Sequence, residues 1–225
     1  MEGHGLLHTV MVANNLPATA PVLLRWAAIL HDLGKPDTRK EEITPDGVKV
    51  SFLGHEEKSA EKASILLDRF RFSETEKQNI IWLVGNHIRA FSFHEMKESK
   101  AKEFASSPLF PFLIELARAD THGSVSNNEQ MRIANEDVLN AIQKRYDKII
   151  AFQQSHKEEL SEITQEINGN IIIKRFKEHF GRQPVGVLIG RIKNATQEEI
   201  REKNITDVQE ARRILQKHIE ALGKE

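Results

Sequence analysis

The spacing of apolar residues predicts helices along almost the whole chain, because apolar positions repeat about every 3.6 residues. Segment 21–33 is apolar on nearly all sides, which predicts a buried central helix that ends at Gly34 and Pro36. Segment 41–52 breaks this pattern with a Pro-Asp-Gly sequence between two short β-capable runs, which predicts a surface hairpin. Further helices are predicted over 5–16, 56–70, 74–88, 97–105, 109–121, 128–160 and 207–222, with two short helices over 168–193.

Two of these helices carry a recognisable start. Ser73 followed by Glu76 fits a capping box, in which each side chain bonds the other residue's backbone N–H. Thr206 followed by Gln209 resembles a second capping box before the last helix.

The character of the chain changes after about residue 125, where a polar stretch is followed by a long, highly charged helix. We therefore expect one domain over residues 1–125 and a helical C-terminal extension over 126–225. The expected fold class is all-α, a helical bundle with a small hairpin insertion.

Composition and charge narrow the class of protein. Hydrophobic residues make up 39% of the 225 residues and charged residues 29%, which is typical of a globular protein. No apolar run approaches the roughly 20 residues that span a bilayer, so no membrane partner is expected. The absence of cysteine excludes thiolate metal sites and fits a cytoplasmic protein. The net charge of −1 argues against tight, sequence-independent RNA binding by this chain alone.

The chain contains ten histidines, and the pair His31-Asp32 is the first candidate for chemistry. It ends an apolar helix, where an unpaired carboxylate would cost several kcal/mol. A metal cation would satisfy that carboxylate, although a helix cap or a salt bridge to Lys35 would do so too. The dipeptide alone is weak evidence for metal binding.

Three more helices each place a metal-ligating side chain on an apolar face. His8 lies beside Met11 and Val12, His87 follows Leu83 and Val84, and Asp120 follows Leu113 and Leu116 at helical spacing. Each residue alone is more often a satisfied core residue. Together such residues need partners, and a shared cation is the simplest one. His55 opens its helix, so its ring could point inward or face solvent.

The order His8, His31-Asp32, His55, His87, Asp120 resembles the HD superfamily of metal-dependent phosphohydrolases. Residues 30–36 resemble the central motif of that superfamily. Three other segments are similar to the HD region of bacterial tRNA nucleotidyltransferases (the CCA-adding enzyme and poly(A) polymerase family), and two C-terminal segments are similar to the region that follows it. These segments are 52–56, 86–89 and 117–120, then 167–170 and 185–190.

The nucleotidyltransferase head of that family has no counterpart in this sequence. Its Gly-rich loop and catalytic carboxylates would precede residue 1. The resemblance therefore does not imply CCA addition by this chain alone, and a separate nucleotidyltransferase subunit is one expected partner.

The resemblance implies a dinuclear site in which Asp32 bridges two metals. His8, His31 and Asp120 would complete the first metal site. His55 and His87 would complete the second. We expect one or two divalent transition-metal ions, and nitrogen and oxygen ligands suit iron, manganese, nickel, cobalt or zinc.

Three cations near the motifs are candidates for substrate binding. Lys35 and Arg89 are expected beside Asp32 in the catalytic machinery, and Lys35, Arg39 and Arg89 could bind phosphate oxygens. Solvated surface charge is the alternative for all three. His4 and His122 are expected to be exposed, and four further histidines are expected to be surface residues outside the motifs; these are His94, His156, His179 and His218.

The favoured function is a phosphohydrolase that acts on a nucleotide, a cyclic nucleotide or an RNA-terminal phosphate through a metal-activated water. One alternative is a di-iron oxygenase, since a branch of the superfamily uses the same ligands to cleave C–C or C–P bonds with oxygen. The other alternative is a non-catalytic module that positions RNA.

Overall fold

The computed structural model describes residues 5–45, 47–124 and 129–224. These residues confirm the all-α prediction, since one two-stranded hairpin interrupts an otherwise helical chain. A 3₁₀ turn covers Phe93–Glu95. The helices are α1 Gly5–Asn15, α2 Val22–Leu30, α3 Lys35–Thr38, α4 His55–Leu67, α5 Glu74–Phe91, α6 Glu98–Ala105, α7 Phe110–Gly123, α8 Glu129–Ser155, α9 Lys157–Glu166, α10 Gly169–Phe180, α11 Gly186–Lys203 and α12 Val208–Leu222; the strands are β1 Lys40–Thr44 and β2 Gly47–Ser51.

The chain forms two compact units. The first contains residues up to His94 and Ser107–Lys144, and the second contains Glu95–Ser106 and Arg145 onward. The division falls inside α8, and it assigns α6 to the second unit. The domains 1–125 and 126–225 stay a prediction, and their boundary at residue 125 lies outside the described residues.

In the first unit, α5 packs against α2, α4 and α7, and α1 packs against α2 and α7. Leucines fill the centre, because Leu24, Leu83, Leu113 and Leu116 are fully buried. The helices therefore bring widely separated parts of the sequence against one core, and this core holds the candidate site.

Two glycines allow this packing. A Cβ on Gly34 would lie 2.4 Å from the carbonyl oxygen of His55, and a Cβ on Gly123 would lie 2.6 Å from Val12 Cγ2. Real side chains do not approach so closely, so both positions need glycine. Gly34 thus lets the turn after α2 pack closely against the start of α4. Gly123 lets α7 pack closely against α1.

The prediction for the second helix needs two corrections. α2 ends at Leu30 and is amphipathic, since Val22 and Ile29 are exposed while the side toward the core is buried. Pro36 does not end a helix. It lies in the first turn of α3, where its missing N–H costs nothing.

The hairpin lies where the sequence predicts it. β1 and β2 pair antiparallel, with Ile43 opposite Val48 and Glu41 opposite Val50. Neighbouring pairs alternate between the two faces, so these two pairs share one face. Three of the four residues on this face are apolar, yet the face is exposed, since Ile43 and Val48 are 90% and 62% exposed.

The second unit is a helical array around its own apolar core. α11 packs against α6, α10 and α12, and α12 also packs against α9 and α10. Isoleucines dominate this core, with Phe176 and Leu215 fully buried among them. The predicted helix over 128–160 is interrupted at His156, where α8 gives way to α9.

Of the two predicted capping boxes, one is present and the other is not. Ser73 and Glu76 form the predicted capping box of α5. The second box is wrong: Asp207 caps α12, and its carboxylate accepts hydrogen bonds from the N–H groups of Gln209 and Glu210 at 3.1 and 3.2 Å. Thr206 lies one residue outside the cap. No helix of the described ranges is long and apolar enough to cross a membrane.

Candidate metal centre

The first unit brings together all the predicted metal ligands. They come from four helices and the turn after α2: His8 on α1, His31 and Asp32 in the turn, His55 at the first position of α4, His87 on α5 and Asp120 on α7. We call these residues the histidine–aspartate cluster. His31, His55 and His87 are buried, which answers the question that the sequence left open for His55.

One half of the cluster forms around one oxygen of Asp32. His8 Nε2 and His31 Nε2 each lie 3.3 Å from Asp32 Oδ2 and 3.2 Å from one another. Asp120 Oδ1 lies 3.0 Å from His8 Nε2 and 3.6 Å from His31 Nε2. Two nitrogens and two carboxylate oxygens therefore face a common point.

The other half forms around the second oxygen of Asp32. His55 Nε2 and His87 Nε2 lie 3.3 and 3.8 Å from Asp32 Oδ1, and 3.1 Å from one another. Asp32 thus presents one oxygen to each half. In the triads His8, His31, Asp32 and Asp32, His55, His87, the ligand atoms lie within 4.8 Å of one another.

The far side of every ring is held by a backbone carbonyl. Nδ1 of His31, His55 and His87 lies 2.8, 2.8 and 2.6 Å from the carbonyl oxygens of Ala28, Phe52 and Val84. Nδ1 of His8 lies 3.3 Å from the carbonyl of Gly123. Because a carbonyl only accepts, each Nδ1 carries the proton, and in a neutral ring Nε2 then has a free lone pair.

This donor set fits a divalent transition metal. Two neutral Nε2 atoms about 3 Å apart are both acceptors and cannot bond one another, so they need a cation or a proton between them. Imidazole nitrogens and carboxylate oxygens are the ligands that such metals prefer. The carbonyls behind the rings fix the ring orientation, as outer-shell partners do in metal sites.

In the metal-free protein, the carboxylates hold protons on two of the histidines. Hydrogen bonds to Asp120 and Asp32 raise the pKa of His8 to about 9. Burial opposes the charge on His31, but the same two carboxylates outweigh burial and raise its pKa to about 10. Burial likewise opposes the charge on Asp32, but its histidine neighbours hold its pKa far below the usual range.

In the second half of the cluster, the pKa values of His87 and His55 are shifted in opposite directions. Burial and the positive charge of His31 lower the pKa of His87 to about 4, so this ring is neutral at ordinary pH. Burial disfavours the charge on His55, but its contact with Asp32 raises the pKa overall. A metal at this half would therefore find His87 ready to ligate.

The structure places the three predicted cations at different distances from the cluster. Lys35 Nζ lies 2.7 Å from Asp32 Oδ2, so the alternative partner that the sequence offered is present beside the histidines. The guanidinium of Arg39 pairs with Glu41 at the start of the hairpin. Arg89 is exposed on α5, two residues after His87. Substrate roles for these three cations stay predictions.

The other histidines fall into two groups. His122 and His179 are exposed, as predicted. His94, His156 and His218 are partly buried, and their rings contact nearby acceptors: His94 the carbonyl of Phe91, His156 that of Phe152, and His218 the carboxylate of Glu199. His4 lies outside the described residues.

One supporting residue was missed from the sequence. The Ser59 hydroxyl is buried and accepts a hydrogen bond from the Gly34 N–H at 2.8 Å, which fixes the turn that carries Asp32. A signal was available, since His55, Ser59, Ala63 and Leu67 recur every four residues and form the buried stripe of α4.

Comparison with known families gives a decisive match. The model of the HD domain family matches residues 6–121, which is just over half of the chain. The chain belongs to the HD domain family. All six residues of the histidine–aspartate cluster lie within the matched segment, and the superfamily is one of metal-dependent phosphohydrolases.

Three curated relatives are tRNA enzymes. The chain is 30% identical to the multifunctional CCA protein of Aromatoleum aromaticum over 126 residues, 52% of the chain and 29% of that protein. It is 31% identical to the A-adding tRNA nucleotidyltransferase of Deinococcus radiodurans over 134 residues, 56% and 30% of the two lengths. It is 35% identical to the CC-adding tRNA nucleotidyltransferase of Thermus thermophilus over 101 residues, 45% and 23%. The chain therefore aligns with less than a third of each relative, and the resemblance found in the sequence is confirmed.

Proposed function

We propose that this HD domain is a metal-dependent phosphohydrolase that acts on a nucleotide, a cyclic nucleotide or an RNA-terminal phosphate. One observation carries the proposal: Asp32 turns one oxygen to each of two histidine pairs whose outer nitrogens are all held by backbone carbonyls. The tRNA relatives favour a nucleotide or an RNA end as the substrate.

Bound divalent cations would supply Lewis-acid chemistry and a water of lowered pKa for attack at phosphorus. Asp32 keeps the two histidine pairs on either side of one carboxylate, which suits the paired sites of phosphoryl hydrolysis. Full burial of His31 and near-complete burial of His87 keep bulk water from competing for their nitrogens. The Lys35 side chain, 37% exposed beside Asp32, could bring its Nζ to a phosphate oxygen and neutralise the charge there.

The first experiment measures the metal content of the purified protein by elemental analysis. We expect about two transition-metal ions per chain in the wild type. Asp32→Ala should lose them, because both histidine pairs depend on its carboxylate. Asp37→Ala is the matched control, since Asp37 pairs with Lys62 outside the cluster, and it should keep its metal. The proposal would be contradicted if the wild type contained no metal and took up no manganese, nickel, cobalt or iron.

The second experiment assays phosphate mono- and diesters with the metal-loaded protein. Lys35→Ala should lower kcat/KM by about 10- to 100-fold with metal content unchanged, since a charge-assisted hydrogen bond is worth about 1.5–3 kcal/mol. Lys49→Ala, an exposed lysine on β2, is the control. Hydrolysis without oxygen supports the phosphohydrolase. Mixed-valence iron and a need for oxygen would favour the oxygenase instead.

A further inference from the structure

A cleft opens from the histidine–aspartate cluster toward the hairpin. Its volume is about 370 Å³, in the range of pockets that hold small molecules, and we call it the side cleft. His55 belongs to both places, because its Nε2 faces Asp32 while the residue also lines the cleft. Besides His55, the lining consists of Lys35, Val50, Ser51, Phe52, Leu53, Gly54, Glu56 and Ile88.

The side cleft is apolar although it is open to water. Leu53 is 80% exposed and Ile88 is 40% exposed, and both line it together with Phe52. Val50 extends the apolar wall onto the hairpin face that also carries Ile43 and Val48. Exposed apolar side chains gathered beside a polar cluster mark a binding surface more often than ordinary surface.

The charges of the side cleft are separated in a way that orients a ligand. Lys35 lies at the inner end, 2.7 Å from Asp32 Oδ2 and 5.8 Å from the centre of the Phe52 ring. Glu56 supplies a carboxylate to the lining next to His55. A ligand that fits has one phosphate for the inner end, hydroxyl groups that can donate to a carboxylate, and a flat apolar part for the wall.

We propose that the side cleft binds the nucleobase of a nucleotide whose phosphate lies at Lys35 and the histidine–aspartate cluster. The proposal rests on the phosphohydrolase function and narrows its substrate to esters that carry a base. The phosphate end of the ligand is common to all phosphate esters, so Phe52, Leu53 and Ile88 supply the selectivity. Stacking and apolar contact with these residues accept any base, because every base has an apolar face.

The test compares probes with and without a base. Calorimetry measures binding of the non-hydrolysable phosphonate analogue of adenosine 5′-monophosphate and of the matching analogue of ribose 5-phosphate. A second pair carries the phosphonate at the 3′ position. In at least one pair, the wild type should bind the adenosine probe at least about fivefold more tightly than the ribose probe.

The variant Leu53→Asn/Ile88→Asn removes the two exposed side chains of the apolar wall and leaves Phe52 and the cluster in place. It should bring the affinity ratio close to one while leaving the affinity for the ribose probe unchanged. Ile65→Asn is the matched control, because Ile65 is 61% exposed on α4 and does not line the side cleft. It should keep the wild-type ratio, and thermal melts of all variants check folding.

The proposal would be overturned if the wild type bound the adenosine and ribose probes equally tightly in both pairs. It would also be overturned if the wild type bound none of the probes. An affinity ratio that the double variant leaves intact would contradict it as well. The two proposals fail separately. Preference for the adenosine probe without hydrolysis of any ester would leave the side cleft standing and remove the phosphohydrolase. Hydrolysis of esters with and without a base at equal kcat/KM would do the reverse.

Discussion

The two compact units each bury a strongly polar group, and they treat it in opposite ways. In the second unit, Lys102 is 5% exposed, and its Nζ donates to the carbonyl of Arg201 at 2.6 Å and to the Asn204 side chain, while Glu98 balances the charge at 3.3 Å. In the first unit, the histidine–aspartate cluster points acceptor nitrogens at one another.

The difference separates a structural polar site from a functional one. Every donor of Lys102 faces a matching acceptor, so the folded chain by itself accounts for the arrangement. The cluster is complete only when something absent from the polypeptide is added, whether protons or metal ions. A mutation should therefore damage folding in the second unit and chemistry in the first.

The largest effect is expected for Asp32→Asn. The amide keeps the size of the side chain but removes the charge that both histidine pairs share, so kcat/KM should fall by more than about 100-fold, beyond the loss seen for outer-shell partners. The metal-free variant should still fold, but with lower stability at neutral pH, because the protonated His8 and His31 lose one of their two carboxylate partners. Steady-state assays and thermal melts in chelator measure the two effects. Full activity in this variant would contradict the contrast between the units.

The next effect is a loss of stability for Lys102→Met. Methionine fills the space but leaves the carbonyl of Arg201 and the amide oxygen of Asn204 without their donor, which should cost about 3 kcal/mol of unfolding free energy. Metal content and kcat/KM should stay at wild-type values below the melting temperature. Lys100→Met, at a lysine that is 55% exposed on the same helix, is the control and should change stability little. A stable Lys102 variant would show that its contacts do not matter.

The pH should move metal affinity and metal-free stability in opposite directions. The pKa of His8 is raised to about 9 and that of His31 to about 10, so ligation must release a proton from each ring. Affinity should rise with pH by up to about 100-fold per unit below pH 9 and level off above pH 10. His87, with its pKa lowered to about 4, adds nothing above about pH 5.

The stability of the metal-free protein should fall with rising pH, opposite to the metal affinity. A raised pKa stabilises the fold fully below the unfolded value of 6.5, and this stabilisation is lost as pH rises through 9 and 10. Denaturation in chelator at pH 6 to 10 measures it, alongside metal titrations over the same range. Metal affinity that is equal at pH 6 and pH 9 would show that the rings hold no protons before ligation.

The smallest expected effect is a difference in stability between variants of Asp207 and Thr206, the two neighbours at the start of α12. Asp207→Ala should lower stability by about 1 kcal/mol, because two N–H groups lose their carboxylate acceptor. Thr206→Ala should change it by less than about 0.5 kcal/mol, since Thr206 lies outside the cap. Chemical denaturation of the two variants measures the difference, and the opposite order would restore the capping box predicted from the sequence.

The sequence predicted the local structure better than the contacts between distant residues. Helical periodicity predicted the helices, and the Pro-Asp-Gly turn between two β-capable runs predicted the hairpin, since both signals depend on nearby residues. The cap of α12 was missed because two adjacent residues could each serve and only the backbone geometry distinguishes them. The contact of His218 with Glu199 was not predicted, because the two residues lie 19 positions apart on different helices.

The members of the histidine–aspartate cluster were predicted from the family resemblance and from their positions on apolar helix faces. The contacts that hold their rings were not predicted. Nothing in the sequence showed that the carbonyls of Ala28, Phe52 and Val84 hold the rings, because a carbonyl is present at every residue. Likewise the side cleft is lined by residues of β2 and of α5, which lie far apart in the sequence, and no periodicity encodes that combination. Ser59 was within reach of the sequence, as its place in the α4 stripe shows.

The contact between α1 and α7 also sets the order of events during synthesis of the chain. The ring of His8 meets the carbonyl of Gly123 across 115 residues of sequence, and Asp120 belongs to the same half of the cluster. A growing chain can therefore offer His31, His55 and His87 long before that half is complete. Closing so long a loop is slow compared with forming helices. Metal capture at the half that holds His8 should thus report the last stage of folding of the first unit, and it should protect finished chains while leaving unfinished ones exposed to proteases.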